Sequence, residues 1–358
     1  MLQKWLRNNR PDNGVKSDCK KLHRFAMQIF AFGYARRYAF QEGSVRQRLL
    51  IVLVGALITM SAGADTTGLD FRTLLPKLQP TSEIPSRAPF EARDGTRLWY
   101  RHYPSESDTA LILVHGSATD SKYLSSFAKA LAESGVATVY TPDVRGHGPS
   151  PARRGDIDYI EQLEDDLADL ILHVKATDND LARVVIGGHS SGGGLAVRFA
   201  GGAHNHLAAA FMLIAPYLGH DAPTVRDDSG GWAEPNLFKI IPISILNRLG
   251  ITFFNNAQVL QFDLPPEYRH GSETLSYSYR LMTGFNPSDF RADLGAVNEP
   301  LILIAGSEDE ALVTAQFEST VRPFVPHAVI KQVDGASHLD LVVDDEAIEI
   351  VRKWLEEL

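Results

Sequence analysis

Five residues carry the strongest chemical signal in the chain: Gly188-His189-Ser190-Ser191-Gly192, a G-x-S-x-G. Residues 184–186 (VVI) precede it as a strand, and residues 195–200 follow it as a helix. A serine on so sharp a strand-to-helix turn needs neighbours without bulky side chains, because backbones approach closely there. Gly187, Gly188, Gly192, Gly193 and Gly194 provide that room. The turn exposes the Ser190 hydroxyl at a sheet edge and at a helix N-terminus, where anionic charge is stabilised. A bare pentapeptide would be an incidental glycine-rich loop; strand and helix on the correct sides make Ser190 a candidate nucleophile.

A serine hydroxyl is a poor nucleophile until a base takes its proton. The chain order serine, acid, histidine puts that base after the last strand, where Gly335-Ala336-Ser337-His338 stands. His102, His115, His147, His189, His220 and His270 compete for the role. His189 adjoins Ser190 and is expected to point away from it, and His115 is expected to orient a loop. His338 is the predicted base. Its carboxylate partner should follow residues 301–305 (LILIA), in Gly306-Ser307-Glu308-Asp309-Glu310. Three consecutive carboxylates leave the choice open; Asp309 is favoured, with Glu308 and Glu310 as solvated side chains. Asp340 stands too near His338 in sequence to reach round the ring easily. Two N–H donors for an oxyanion complete such a site. The Ser191 amide, just after the nucleophile, is one, and the Ser117 amide of His115-Gly116-Ser117 is the other. This chemistry requires no metal or cofactor, and a single cysteine, Cys19, excludes cysteine-based zinc or iron–sulfur sites.

These residues need a scaffold, and the hydrophobic pattern supplies one. Asp94-Gly95 signals a hairpin whose second strand is residues 98–103. Residues 110–114 (ALILV) form a continuous apolar run, as expected of a strand buried on both faces. Further strands are predicted over 137–140, 183–186, 209–214, 301–305 and 329–333. Ser121 is expected to cap a helix with Leu124, Phe127 and Leu131 on one face, closed by Gly135. Tyr159, Ile160, Leu163, Leu167, Leu170, Ile171 and Val174 fall at helical spacing, and Ile348, Val351 and Leu355 mark a last helix. The alternation predicts the α/β class, with a mostly parallel central sheet and helices on both faces. The rhythm stops over residues 217–297, which read as a cap inserted over the carboxyl edge of the sheet. Its apolar residues Leu237, Phe238, Ile240, Ile241, Ile245, Leu246, Phe253 and Phe254 are expected to form the cap's own core, or else to line an acyl tunnel.

Nearly the whole of residues 90–358 resembles the α/β-hydrolase superfamily. Asp143-Val144-Arg145-Gly146-His147-Gly148-Pro149-Ser150 resembles the D-x-R-G-H-G-x-S turn of its lysophospholipase and monoacylglycerol-lipase-like branch, also labelled serine aminopeptidase-like. The G-x-x-D ending at Asp309 and the late His338 match as well. The resemblance implies a triad of Ser190, Asp309 and His338, a lid over 217–297, and loop-shaping, non-catalytic roles for Asp143, Arg145 and His147. Two departures stand out. The loop His115-Gly116-Ser117-Ala118-Thr119 lacks the usual second glycine, and Ser191 is more polar than is usual after the nucleophile. Dehalogenases and epoxide hydrolases of the superfamily place aspartate on the elbow, so Ser190 argues against them. The expected activity is hydrolysis of a small-molecule carboxylic ester, with a lean towards lipid esters. One alternative is a serine aminopeptidase, in which Asp221, Asp227, Asp228 or Glu234 would hold a substrate ammonium; another is a non-catalytic binding protein of the same fold.

Ahead of this domain, residues 49–60 (LLIVLVGALITM) are uncharged, with Arg46 and Arg48 before them and Ala62-Gly63-Ala64 after. That is the pattern of a secretory signal peptide cleaved after Ala64. The run falls short of the about 20 apolar residues of a comfortable membrane span. Residues 1–44 are long for a signal's basic region, so translation from near Val45 is expected. The alternatives are a longer leader or an uncleaved segment tethering the chain to a membrane. Residues 65–89 read as a linker or surface arm. The formal charge of −9 divides into +8 for residues 1–64 (11 Lys+Arg, 3 Asp+Glu) and −17 for residues 65–358 (24 and 41). So acidic a body excludes nucleic acid as a partner and disfavours packed anionic membranes.

Overall fold

The computed structural model describes residues 83–178, 180–226 and 232–358, the Tyr268 side chain apart. The predicted leader, residues 65–82 of the arm, Asp227 and Asp228 lie outside them. Strand β1 (Ala88–Glu91) and strand β2 (Arg97–Tyr103) form the expected hairpin, turned by Gly95 at φ +78°. The last residues assigned to the arm are therefore part of the sheet. Strands β3 (Thr109–Val114), β4 (Thr138–Asp143), β5 (Arg183–His189) and β6 (Ala210–Ile214) follow. Strands β7 (Ala233–Pro235), β8 (Gln258–Phe262) and β9 (Ser276–Ser278) make a separate antiparallel sheet, before β10 (Leu301–Gly306) and β11 (Val329–Val333) rejoin the first. The central sheet has eight strands in the order β1-β2-β4-β3-β5-β6-β10-β11. β2 pairs antiparallel with both neighbours, and every pair from β4 to β11 is parallel. Strands β3, β4, β6 and β10 are buried along their whole length, as continuous apolar runs require when both faces are covered.

Strand order dictates where a site can form. From β3 the chain passes through helix α1 (Ser125–Glu133) to β4 on one side. It then returns through helix α2 (Gln162–Thr177) to β5 on the other, and continues through helix α3 (Ser191–Gly201) to β6. Right-handed crossovers in opposite directions put α1 and α2 on opposite faces. The loops leaving β3 and β5 therefore diverge, opening a crevice at the carboxyl ends of two neighbouring strands. Ser117 is on one side of it and Ser190 on the other.

The described part of residues 217–297 contains β7, β8, β9 and three α-helices, α4 (Leu237–Arg248), α5 (Tyr279–Gly284) and α6 (Phe290–Gly295). Short helix α7 (Phe317–Val321) joins β10 to β11, and helix α8 (Asp345–Glu356) closes the described chain. α6 packs on α3, where Asp293 fills the space beside Gly201. The buried pair Arg198–Glu164 ties α3 to α2, and Arg198 also donates to the carbonyls of Thr283 and Asn286.

Three local expectations are corrected. Asp120 caps a 3-10 turn, Ser121–Leu124, that leads into α1, its carboxylate accepting the Lys122 N–H, while Ser121 is buried and bonds to Asp143. Tyr159 and Ile160 precede α2 instead of belonging to it. The third concerns the cap's apolar residues, of which only Ile240 packs against the cap's small core. Leu237, Phe238, Ile241, Ile245, Phe253 and Phe254 are exposed, Phe253 by 84% and Phe238 by 70%, and Ile240 and Leu246 are half-buried. A helix buries one stripe, and on α4 the stripe at Ile243 meets Val259 and Tyr279; a three-stranded sheet is too small to cover the rest.

Candidate active site

Ser190 sits at φ +56°, ψ −121°, between β5 and the first turn of α3. Its N–H donates to the Ile214 carbonyl at the end of β6, and its own carbonyl accepts from Gly194 and Tyr217. The neighbours that permit this are glycines for a steric reason. A Cβ on Gly188 would stand 2.2 Å from the Gly192 carbonyl carbon, and one on Gly192 would stand 2.3 Å from the Val114 oxygen. Any other residue at Gly188 forces the elbow's own turn open, and any other at Gly192 drives the elbow away from β3.

The acid and base arrive on the loops after β10 and β11. Asp309 Oδ2 lies 2.8 Å from His338 Nδ1, and both side chains are buried. The other carboxylate oxygen accepts the Ala311 and Leu312 amides at 2.9 and 2.7 Å. Burial alone would raise the Asp309 carboxyl, but the His338 charge and these hydrogen bonds outweigh it and hold the group below the ordinary carboxylate range. Burial alone would lower His338, but the charge and hydrogen bond of Asp309, with Glu310 behind them, raise it above the ordinary histidine value. Glu308 is solvated as expected. Glu310 is not: its carboxylate accepts the His338 N–H at 3.0 Å and so fixes the histidine's backbone. Asp340 bonds the Ser337 amide within its own turn. Arg226 grips the carbonyls of Asp309 and Leu312. Asp309 and His338 are thus joined directly, whereas no hydrogen bond links Ser190 Oγ to His338 among the described residues.

What locates His338 beside the elbow is His189. Its Nε2 lies 3.0 Å from the His338 carbonyl, which can only accept, so the ring proton is on Nε2. Nδ1 then accepts from the Tyr123 hydroxyl at 2.9 Å, and that oxygen accepts the Gly116 N–H at 2.7 Å. Burial, with His338 nearby, pushes the His189 pKa down to about 3, so the ring stays neutral and the chain of bonds intact. The residue before the nucleophile therefore links the β3 loop to the β11 loop.

Ser117 and Ser191 meet through their hydroxyls at 2.7 Å, which accounts for the polar residue after Ser190. Neither backbone N–H has a protein acceptor among the described residues, which leaves both available to an oxyanion. Ala118 stands where the usual second glycine is missing, at φ +63°; a left-handed residue with a Cβ costs about 1–2 kcal/mol. His115 orients this loop, accepting the Val144 N–H on Nε2 and donating from Nδ1 to the Gly116 carbonyl. Asp143 receives Ser121 and Arg87, and Arg145 pairs with Asp166 and Asp94. No group of three or more His, Cys, Asp or Glu among the described residues is arranged to hold a metal ion. Of the acids considered for an ammonium, Asp221 is paired with Arg291 and Glu234 is exposed.

Comparison with known proteins agrees with this architecture. A family model described as serine aminopeptidase, S33, matches residues 105–341. The non-heme chloroperoxidase CPO-A1 of Kitasatospora aureofaciens is 23% identical over 280 residues, 74% of this chain and 96% of that protein. A soluble variant of the monoglyceride lipase of Saccharomyces cerevisiae, solved with a substrate analogue, has a similar fold. Its TM-score is 0.56 at 19% identity, covering 77% of this chain and 96% of that one. A thermophilic esterase from Thermogutta terrifontis has a TM-score of 0.52 at 20% identity, covering 76% and 98%. With the family model spanning most of the described residues, the chain belongs to the serine aminopeptidase S33 family and is an α/β hydrolase.

Proposed function

We propose that the protein is an exported serine hydrolase that cleaves carboxylic esters through an acyl-enzyme. The observation that carries this reading is the buried Asp309–His338 pair on loops adjoining a strained serine at a helix N-terminus. Ser190 attacks the acyl carbonyl as His338 Nε2 takes its proton, while Asp309 holds Nδ1 and stabilises the imidazolium. The Ser117 and Ser191 amides receive the oxyanion. His338 returns the proton to the leaving alkoxide, and a water activated by the same ring releases the acid. The Ser190–His338 hydrogen bond forms as substrate enters, since such contacts are often open in free enzymes.

A panel of p-nitrophenyl esters of graded chain length, run beside aminoacyl-p-nitroanilides, tests the reaction. Ester turnover that drops at least about 10³-fold in Ser190→Ala is expected. Preferential release from the nitroanilides would instead make the protein an aminopeptidase, and silence towards both would make it a binding module.

The acid limb of kcat/KM supplies a second test. The base acts unprotonated, so activity falls as pH drops through the His338 pKa. That pKa is raised, which places the limb above the ordinary value of about 6.5. Asp309→Asn removes the charge that raises it; the limb is expected to move to lower pH, with kcat reduced about 10⁴-fold. An unmoved limb contradicts the assignment.

The exposed cap face supports a lipid ester. Residues 237–257 carry Lys239 and Arg248 and no carboxylate, in contrast to the acidic body. An apolar face of this kind draws the enzyme to aggregated substrate. Replacing Phe238 and Phe253 together by serine is expected to slow hydrolysis of a vesicle-borne long-chain ester at least about fivefold and leave p-nitrophenyl acetate turnover unchanged. Equal loss on both substrates contradicts it. Export is supported by the apolar run at 49–60, and N-terminal sequencing of secreted protein should begin at Asp65; an uncleaved chain in the membrane fraction argues for the tethered alternative.

A further inference from the structure

In the loop after β3, the residues on either side of Ser117 are held at both of their backbone groups. The Gly116 N–H is bound by Tyr123, and the Gly116 carbonyl accepts from His115 Nδ1 and from Thr119 Oγ1. At Ala118 both backbone groups are bound by the cap: its N–H donates to the Tyr277 hydroxyl at 2.8 Å, and its carbonyl accepts the Thr274 N–H at 3.0 Å. The Ser117 N–H, between these fixed points, has no acceptor among the described residues. Ala118 is also left-handed, a conformation disfavoured for a residue with a Cβ, so something outside the loop has to hold it there.

Tyr277 is equipped to do so. Its hydroxyl lies 2.5 Å from His147 Nε2. His147 Nδ1 faces the Arg145 carbonyl at 3.2 Å; a carbonyl only accepts, so the proton is on Nδ1, and Nε2 accepts from Tyr277. One hydroxyl thus donates to His147 and accepts from Ala118, with its ring packed edge-on to Phe262. The segment that carries it is anchored to the 143–158 loop. Thr274 Oγ1 donates to the Gly146 carbonyl, Ser278 N–H to the Gly155 carbonyl, and Arg280 pairs with Asp156. A Cβ on Gly155 would stand 2.0 Å from the Ser276 oxygen, so the two segments touch backbone to backbone.

We infer that Tyr277 is a positioning residue of the reaction: through its hydroxyl the cap holds Ala118, and thereby presents the Ser117 amide to the oxyanion. The cap is then part of the oxyanion hole's support and not a separate lid. This rests on the assignment of the Ser117 and Ser191 amides as the oxyanion donors.

Tyr277→Phe keeps the ring and removes the hydroxyl, and with it the bonds to Ala118 and His147. It is expected to lower kcat about tenfold, less than loss of a donor itself, with KM within about twofold. Affinity for a trifluoromethyl ketone, which forms a tetrahedral oxyanion on the serine, should fall by the same factor as kcat/KM. In an Ala118→Gly background, where the left-handed backbone needs no clamp, the same substitution should cost less than about threefold. That comparison, between two proteins that both carry Ala118→Gly, also stands if Tyr277→Phe alone folds poorly. The inference is overturned if kcat stays within about twofold of wild type, if ketone affinity is unchanged while kcat falls, or if the cost persists undiminished in the Ala118→Gly background. Wild-type protein that turns over no ester overturns the underlying reading instead, and this one with it.

Discussion

The backbone of Ser190 is the constraint on which the rest of the structure depends. A non-glycine residue at φ +56°, ψ −121° costs of order 1–3 kcal/mol and persists only where its surroundings over-determine it. Here three backbone hydrogen bonds, to Ile214, Gly194 and Tyr217, fix the peptide on both sides of the serine. Gly188 and Gly192 follow from the same requirement, because β3 and the elbow's own turn pass too close for a Cβ at either place. The parallel pairing of β5 with β3 and β6 provides that closeness, so the sheet order and the elbow imply one another.

Around the elbow, the hydrogen-bond partners of the buried histidine rings set their protonation states. The His338 carbonyl puts the His189 proton on Nε2, and the Arg145 carbonyl puts the His147 proton on Nδ1. Both rings are buried and held neutral, His147 by burial and by His115 beside it. His338 alone of these rings faces a carboxylate, and it alone is raised. Burial is common to all three; the partner decides which one is a base.

Much of this was legible along the chain. Local sequence carries the elbow, because its glycines and serine lie within eight residues, and chain order carries His338 and Asp309. The α/β class is legible because buried parallel strands are continuous apolar runs. What was not legible depends on topology. Tyr123 meets His189, and Tyr277 meets His147 and Ala118, across 66, 130 and 159 residues, so no local pattern points to them. Glu310 read as solvated because its partner is a backbone amide 28 residues on. The cap residues were misplaced for the opposite reason. Apolar composition predicts burial, and the face of α4 is apolar without a partner in the described chain.

The most direct test of the account is to treat the folded protein with a fluorophosphonate and map the adduct by peptide mass spectrometry. A single phosphonyl adduct on Ser190, abolished in Ser190→Ala and strongly slowed in Asp309→Asn, is the predicted result. A well-folded protein that takes no adduct, or takes it on another serine, would show that the elbow is strained for some purpose other than nucleophilic attack.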